Sequence, residues 1–419
     1  SSDVNDPNNY RGITLIPVIS KLFEMVLLEI CSVIYMTDDL QFGFKKGLGC
    51  SNAIFLLQES VSYFVTRGSS VFAASLDIKK AYDTVNHFKL FTALLKANVP
   101  KWIVLILANW YEKLWVAVKW KTSTSMYFRA SSGVRQGSLI SPALFNVFIN
   151  IFITQLRASH SGCKVNGQFV GAIMYADDLI LLSASVNGLQ SMLQVCDVVS
   201  TSLLLKFNCK KCSCCVIGPA SKYVITMMSL CGEHISWSNS FRYLGIDFVA
   251  GKTLAVDLNT VKRKFYVACN CILSYTSTVD DVLKLNLLES HCLPILTYAT
   301  AAIKLSVEQV NELNACWNSA YRRIFGFHKW ESVRAFINGL GRLDFCHLRM
   351  NMQLKFYSTG LSSQNLLFAS IVKLVYVSDA FRCLCRSIKL SEADYTKFAT
   401  LPFSKFRRLT SEVFGSSCI

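Results

Sequence analysis

The run VFAASLDI (71–78) is apolar almost throughout and ends near an aspartate, the pattern of a strand buried on both faces. In the following HFKLFTALLKA the apolar positions return every three or four residues, which predicts an amphipathic helix. These two patterns alternate from 71 to 250. SPALFNVFINIFITQL opens a long helix, with Ser141 expected at the N-cap and Pro142 at the first helical position. GAIMYADDLILLS reads as two short strands folded back at a pair of aspartates, a hairpin. NGLQSMLQVCDVVSTSLLL is the next helix, and CCVIG and FRYLGIDF are further short strands. Ahead of this block, GITLIPV predicts a short strand and NAIFLLQESVSYFV a helix.

After about residue 250 the period becomes helical. Leu254, Leu258, Val261, Phe265, Ala268 and Ile272 keep a three- and four-residue spacing, with Lys262, Arg263 and Lys264 clustered beside that stripe. Ser306 and Gln309 form a capping-box pattern that opens a helix with Val310, Leu313, Trp317, Tyr321 and Ile324 on one face. The last 70 residues carry no pattern that assigns them. The fold class is α+β, mixed over the first two-thirds and mostly helical after it.

Charge changes this picture more than size does. The chain has 419 residues, 52% of them hydrophobic, enough for two or three domain-sized units with a sizeable core. Its 43 Lys and Arg against 27 Asp and Glu leave a net charge of +16, which favours a polyanionic partner, nucleic acid ahead of an anionic membrane. The strongest apolar stretches, WIVLILANWY and ALFNVFINIFI, fall short of the roughly 20 residues that span a bilayer. No secretory signal is visible in SSDVNDPNNY, and the missing initiator Met suggests a fragment of something longer. Seventeen cysteines without such a signal suggest free thiols in a reducing compartment. Cys209, Cys212, Cys214 and Cys215 could hold zinc. No second Cys or His pair follows at finger spacing, so buried thiols on a strand are the preferred reading.

The carboxylates carry the candidate chemistry. Asp77 ends one buried strand, and Asp177 and Asp178 sit at the turn of a hairpin. A lone Asp pair in a turn is commonly turn chemistry only. Three carboxylates brought to one point repel one another unless cations stand between them, and such an oxygen set suits Mg²⁺. Two ions side by side form the clamp for in-line attack at phosphorus, which makes two Mg²⁺ the expected cofactor, with Mn²⁺ as the alternative.

Read in order, NYRGITLIPVISKLFEMVL, QFGFKKGLGCSNAIF, SLDIKKAYDTVNH, SSGVRQGSLISPALFNVF, MYADDLILLS, LKFNCKKC and FRYLGIDF resemble the reverse transcriptases of non-LTR, LINE-type and Jockey-like retrotransposons over residues 9–248. The resemblance implies a right-hand polymerase: fingers over 1–70, palm over 71–250 with part of the fingers, a helical thumb over 251–345, and a C-terminal helical extension over 346–419. It implies that Asp77, Asp177 and Asp178 are the metal-binding triad. Tyr82, five residues after Asp77, would be the aromatic that closes the pocket against a ribose 2′-hydroxyl. Gln136 and Gly137 match the RQG element behind the incoming nucleotide. Arg11 and Lys21 match basic finger positions near the triphosphate. Lys211, with Lys210 as its alternative, matches a lysine that donates a proton or contacts phosphate. Tyr243, Leu244 and Gly245 match the hairpin that grips the primer end, and Lys262, Arg263 and Lys264 are expected on template–primer phosphates. Asp83 is expected to be structural.

The partners so implied are an RNA template, a DNA primer or target and dNTPs, with no membrane; oligomeric state stays open. The implied location is nuclear, and cytoplasmic as a ribonucleoprotein. Gly12 stands where the family commonly has Pro, and neither an endonuclease domain nor a zinc knuckle is visible. The rival readings are a nucleic-acid-binding remnant that has lost catalysis and a group II intron or telomerase-like enzyme. The intact aspartates disfavour the first, and the wording of the QFGF and YLGI blocks disfavours the second.

Overall fold

A computed structural model describes residues 6, 10–222 and 226–376. They gather into two compact units. One joins the residues up to Gly49 with Tyr63–Asn239, and the other joins Cys50–Ser62 with the residues from Ser240 onward.

The first unit is built on four antiparallel strands: β1 (Val71–Leu76), β2 (Ala172–Tyr175), β3 (Asp178–Ser183) and β4 (Ser213–Ile217), in the order β4–β1–β3–β2. The two central strands are apolar and almost wholly buried, as expected where both faces are covered. Helices Ser141–Ala158 and Val186–Leu203 pack on this sheet. The first contributes Leu144, Phe145, Phe148 and Phe152 to the core, and the second contributes Leu189, Met192, Leu193 and Cys196. Ser185 caps the second, its side chain accepting from Gly188 N at 3.0 Å.

The second unit opens with a three-stranded antiparallel meander, Ser240–Tyr243, Ile246–Ala250 and Leu254–Asp257. Helices follow from Asn259–Tyr275 to Leu366–Tyr376. Its core holds Phe265, Leu285, Leu288, Trp317, Tyr321 and Phe345, and Phe55 packs edge-on against Phe356, Tyr357 and Phe368. The capping box of Ser306 and Gln309 is formed, and Leu313, Trp317, Tyr321 and Ile324 are buried as their spacing predicts. The C-terminus becomes helix over Phe345–Leu361 and Leu366–Tyr376, and residues 377–419 of the 346–419 extension lie outside the described residues.

Three expectations are corrected. GITLIPV is not a strand: residues 12–17 take no regular secondary structure, Thr14 N donates to Gln136 O at 2.7 Å, and Pro17 ends the segment by starting the Val18–Ile30 helix. Ser141 is not an N-cap. It is the first residue of its helix, Ile140 occupies the cap position, and Ser138 Oγ accepts from Ser141 N one turn earlier, at 3.4 Å. Leu254 and Leu258 do not belong to the helical stripe. Leu254 lies in the strand Leu254–Asp257, Leu258 is the residue before the helix, and Asp257 Oδ1 accepts from Asn259 N at 2.9 Å to begin it. A hairpin arm followed by a helix had imitated a single period.

The fourteen cysteines among the described residues are free thiols. Cys214 and Cys215 are buried on β4, and no group of three His, Cys, Asp or Glu side chains among the described residues is arranged to hold a metal ion by itself. The preferred reading of CKKCSCC, buried thiols on a strand, holds for Cys214 and Cys215, whereas Cys209 and Cys212 lie ahead of β4, Cys212 buried and Cys209 half-buried.

Candidate active site

Register brings the aspartates together. β2 and β3 pair so that Tyr175 faces Asp178, which leaves Ala176 and Asp177 as a two-residue turn. β1 pairs with β3 through Leu76 opposite Leu179, so one further step sets Asp77 against Asp178. The turn needs an unusual backbone: Ala176 has φ of +52°, a left-handed conformation that L-residues other than Asn and Asp seldom adopt.

The carboxylates feel one another's charge. Asp177 is held above the ordinary carboxylate range chiefly by burial, with a smaller push from Asp77 and an opposing pull from Arg11. Asp178 opens to solvent on one side, yet the protein mass behind it, and then Asp177 and Asp77, push its carboxyl up to about 6. As they stand the three do not close into a complete ligand set. Mg²⁺ is commonly held by one or two carboxylates completed by substrate phosphates, so an open, mutually repelling set of oxygens fits such an ion.

Asp77 is tied to the NCKKC turn. Asn208 N donates to Asp77 O at 2.8 Å, Asp77 N donates to Cys212 Sγ at 3.4 Å, and Lys211 Nζ lies 3.9 Å from Asp77 Oδ2. That placement distinguishes Lys211 from Lys210, which the sequence could not do. Tyr82 is half-buried, its ring stacked on Phe145 at 4.4 Å and 26° with Phe44 edge-on at 6.3 Å. Its buried hydroxyl has no hydrogen-bond partner among the described residues, and burial, then the charge of Asp177, raise its pKa. The ring therefore stands near the carboxylates, held stiffly by aromatic neighbours.

Gln136 Nε2 donates to Asp83 Oδ1 at 3.0 Å. Gly137 is required where it is: its φ is +117° and a Cβ there would meet Thr14 O at 2.7 Å. Arg11 is exposed and close enough to lower both Asp177 and Asp178. Lys21 is exposed on the Val18–Ile30 helix, and among the described residues no interaction ties it to the carboxylates.

In the second unit, Tyr243 is buried at 2% exposure and anchors its hairpin, whereas the turn residues Leu244 (φ +46°) and Gly245 (φ +82°) reach the surface. Tyr298 braces that turn, its hydroxyl donating to Leu244 O at 2.8 Å. Lys262 is engaged by Glu312 at 2.6 Å, and Arg263 and Lys264 are exposed.

One element of the site escaped sequence reasoning. Glu24 is wholly buried, and it accepts from Arg135 at 2.7 Å, Ser138 Oγ at 2.8 Å and Leu139 N at 2.7 Å. Arg135 also stacks over Trp110 at 4.4 Å. Glu24 thus clamps both ends of the loop that carries Gln136 and Gly137. The signal was available: a lone acid inside the apolar run LFEMVLL, the same kind of anomaly as the paired aspartates.

Residues 3–248 match the family model described as reverse transcriptase (RNA-dependent DNA polymerase). Among curated proteins, the Retrovirus-related Pol polyprotein from type-2 retrotransposable element R2DM of Drosophila melanogaster is 27% identical over 252 residues, 58% of this chain and 24% of that protein. The RNA-directed DNA polymerase from mobile element jockey, also from Drosophila melanogaster, is 23% identical over 77% of this chain and 36% of that protein. The chain spans only a quarter to a third of these relatives. Telomerase from Candida albicans in complex with a TWJ fragment of telomeric RNA is a looser structural neighbour. It has a TM-score of 0.45 and 12% identity over 92% of this chain and 58% of that one.

Proposed function

Since the chain belongs to the reverse transcriptase (RNA-dependent DNA polymerase) family, we propose that it is the polymerase core of a non-LTR retrotransposon, extending a primer 3′-end with dNMP units on an RNA template. In the reaction the primer 3′-oxygen bonds to the α-phosphorus of a dNTP and the bond to the leaving pyrophosphate breaks. The observation that carries the reading is the convergence of Asp77, Asp177 and Asp178 on one sheet end, where Asp77 and Asp177 both raise the proton affinity of Asp178.

The family uses divalent metal ions, and Asp77, Asp177 and Asp178 would hold them here, two Mg²⁺ or Mn²⁺ that supply an activated 3′-hydroxyl and charge compensation on the leaving group. The chain's own residues do the rest. Tyr82 presents a rigid ring where a ribose 2′-hydroxyl would clash. The loop of Gln136 and Gly137 backs the nucleotide, and Arg11 offers positive charge to its phosphates. Lys211, mostly exposed and beside Asp77, can swing to a phosphate oxygen or give it a proton. Leu244 and Gly245 receive the primer end, and Arg263 and Lys264 contact backbone phosphates. Among the described residues no helix is long and apolar enough to cross a membrane. The family binds an RNA template; a DNA primer or target and dNTPs complete the set of partners, acting in the nucleus and in a cytoplasmic ribonucleoprotein.

Primer extension on an RNA template with Mg²⁺ tests the reading. The chain should incorporate dNTPs, and Asp177→Asn should lower kcat by about 10³-fold or more while keeping the fold, since only charge at the reacting centre is lost. Binding of template–primer without extension would identify a remnant instead.

A further inference from the structure

We propose that Gln41 is the positioning residue of the aspartate turn: its side-chain amide clamps the Ala176 peptide and so fixes where Asp177 and Asp178 present their carboxylates. The inference rests on those aspartates forming the polymerising centre.

Gln41 is fully buried, an unusual state for an uncharged amide unless its polar atoms are satisfied. Its Oε1 accepts from Ala176 N at 3.0 Å and from Gly43 N at 2.9 Å, and its Nε2 donates to Ala176 O at 3.4 Å. Both polar groups of the one left-handed residue in the turn are therefore taken by one side chain, and two donors on the same atom fix which end is oxygen.

The surrounding backbone holds Gln41 itself in place. Phe42 N donates to Met174 O at 2.8 Å and Met174 N donates to Leu40 O at 2.9 Å, so residues 40–42 run alongside β2 up to the turn. Gly43 then passes so close that a Cβ would lie 2.5 Å from Ala176 N, and Asn146 Nδ2 holds the Gly43 carbonyl at 2.6 Å. Without the clamp, Ala176 would lose the two bonds that compensate its left-handed backbone. The turn would relax and move the adjacent Asp177. A carboxylate displaced by about 1 Å is enough to lose roughly a hundredfold in rate.

The experiment uses the whole chain with Gln41→Leu, which keeps volume and deletes all three bonds of the amide, two of them to Ala176. Leu40→Val, a buried neighbour that leaves the amide intact, is the control for lost stability. In metal-free protein, the amides of 175–178 should exchange with solvent about tenfold faster in Gln41→Leu and not in Leu40→Val. On an RNA template, kcat should fall about a hundredfold with KM for dNTP changed less than about threefold, because the nucleotide loop is untouched. Gln41→Glu keeps size and the acceptor oxygen, guards against a folding failure of the leucine variant, and should lose about tenfold of kcat. Unchanged exchange in the turn, or a kcat no lower than that of Leu40→Val, overturns the proposal. A wild-type chain that never extends a primer overturns the polymerase reading instead, and the exchange result still decides the clamp.

Discussion

Asp178 illustrates how one side chain reports a crowded site. Its carboxyl is raised from 3.8 to about 6, so in metal-free protein the folded state holds its proton more tightly than the unfolded chain does. The sign follows: the contribution is neutral below about pH 4, grows unfavourable as pH rises through 4 to 6, and is fully unfavourable above it. Solvent on its open side reduces the effect to about 1 kcal/mol. Asp178→Asn should therefore have a higher metal-free Tm than the parent at pH 8 and the same Tm near pH 4, and Mg²⁺ should erase the difference at pH 8. Tyr82 gives the second expectation at this scale. Wedged between Phe145 and Phe44 it cannot yield, so Tyr82→Val should keep dNTP incorporation while the dNTP-to-rNTP ratio of kcat/KM falls by about tenfold or more. An unmoved ratio would make Tyr82 a core residue. Asp178 was legible because it breaks an apolar run, and Tyr82 because its place five residues after Asp77 matches the motif of the resembled family. Gln41 was not, because a neutral amide in QFGF looks like any surface residue until its partner, 135 positions away, is known.

The Glu24–Arg135 clamp belongs to the scale of elements, since it joins the Val18–Ile30 helix to the loop before Ser141–Ala158. Neither charge can reach water freely, with side-chain exposures of 0% and 9%. Glu24→Gln should lower unfolding free energy by about 3 kcal/mol in urea titrations, because it leaves a buried guanidinium uncompensated. The double replacement Glu24→Leu with Arg135→Met should lose less than the single one, and a double loss equal to the sum of the two single losses would mean that the pair is not coupled. Element types were readable from period alone for the strand at 71 and the helix at 307. Boundaries failed wherever tertiary partners did the capping. Ser141 lost its cap position to a loop that Glu24 organises, and Leu254 kept a helical spacing while pairing as a strand with Ala250.

For the whole molecule the dominant quantity is the charge of +16. Binding of template–primer should weaken steeply with salt, and the slope of log K against log salt counts the phosphates neutralised. The double variant Arg263→Ala with Lys264→Ala should reduce that slope by nearly two, whereas Lys262→Ala, already engaged by Glu312, should change it little. A slope unchanged in the double variant would return this helix face to ordinary solvated surface. Sequence gave the charge and its clustering, but not which lysine was already committed, since Glu312 lies 50 positions away.

The free thiols have a use that has nothing to do with polymerisation. Burial pushes Cys163 and Cys214 up to about 12 and Cys212 and Cys292 to about 11, and raises Cys196 and Cys215 as well. Near neutral pH these groups offer almost no thiolate, and an alkylating reagent must wait until their surroundings open. Exposed Cys271 needs no such opening. Each buried thiol is thus a built-in clock for its own element: Cys215 for β4, Cys196 for the Val186–Leu203 helix, Cys269 for the Asn259–Tyr275 helix. The order in which they are labelled would rank how often each part of the native chain breathes.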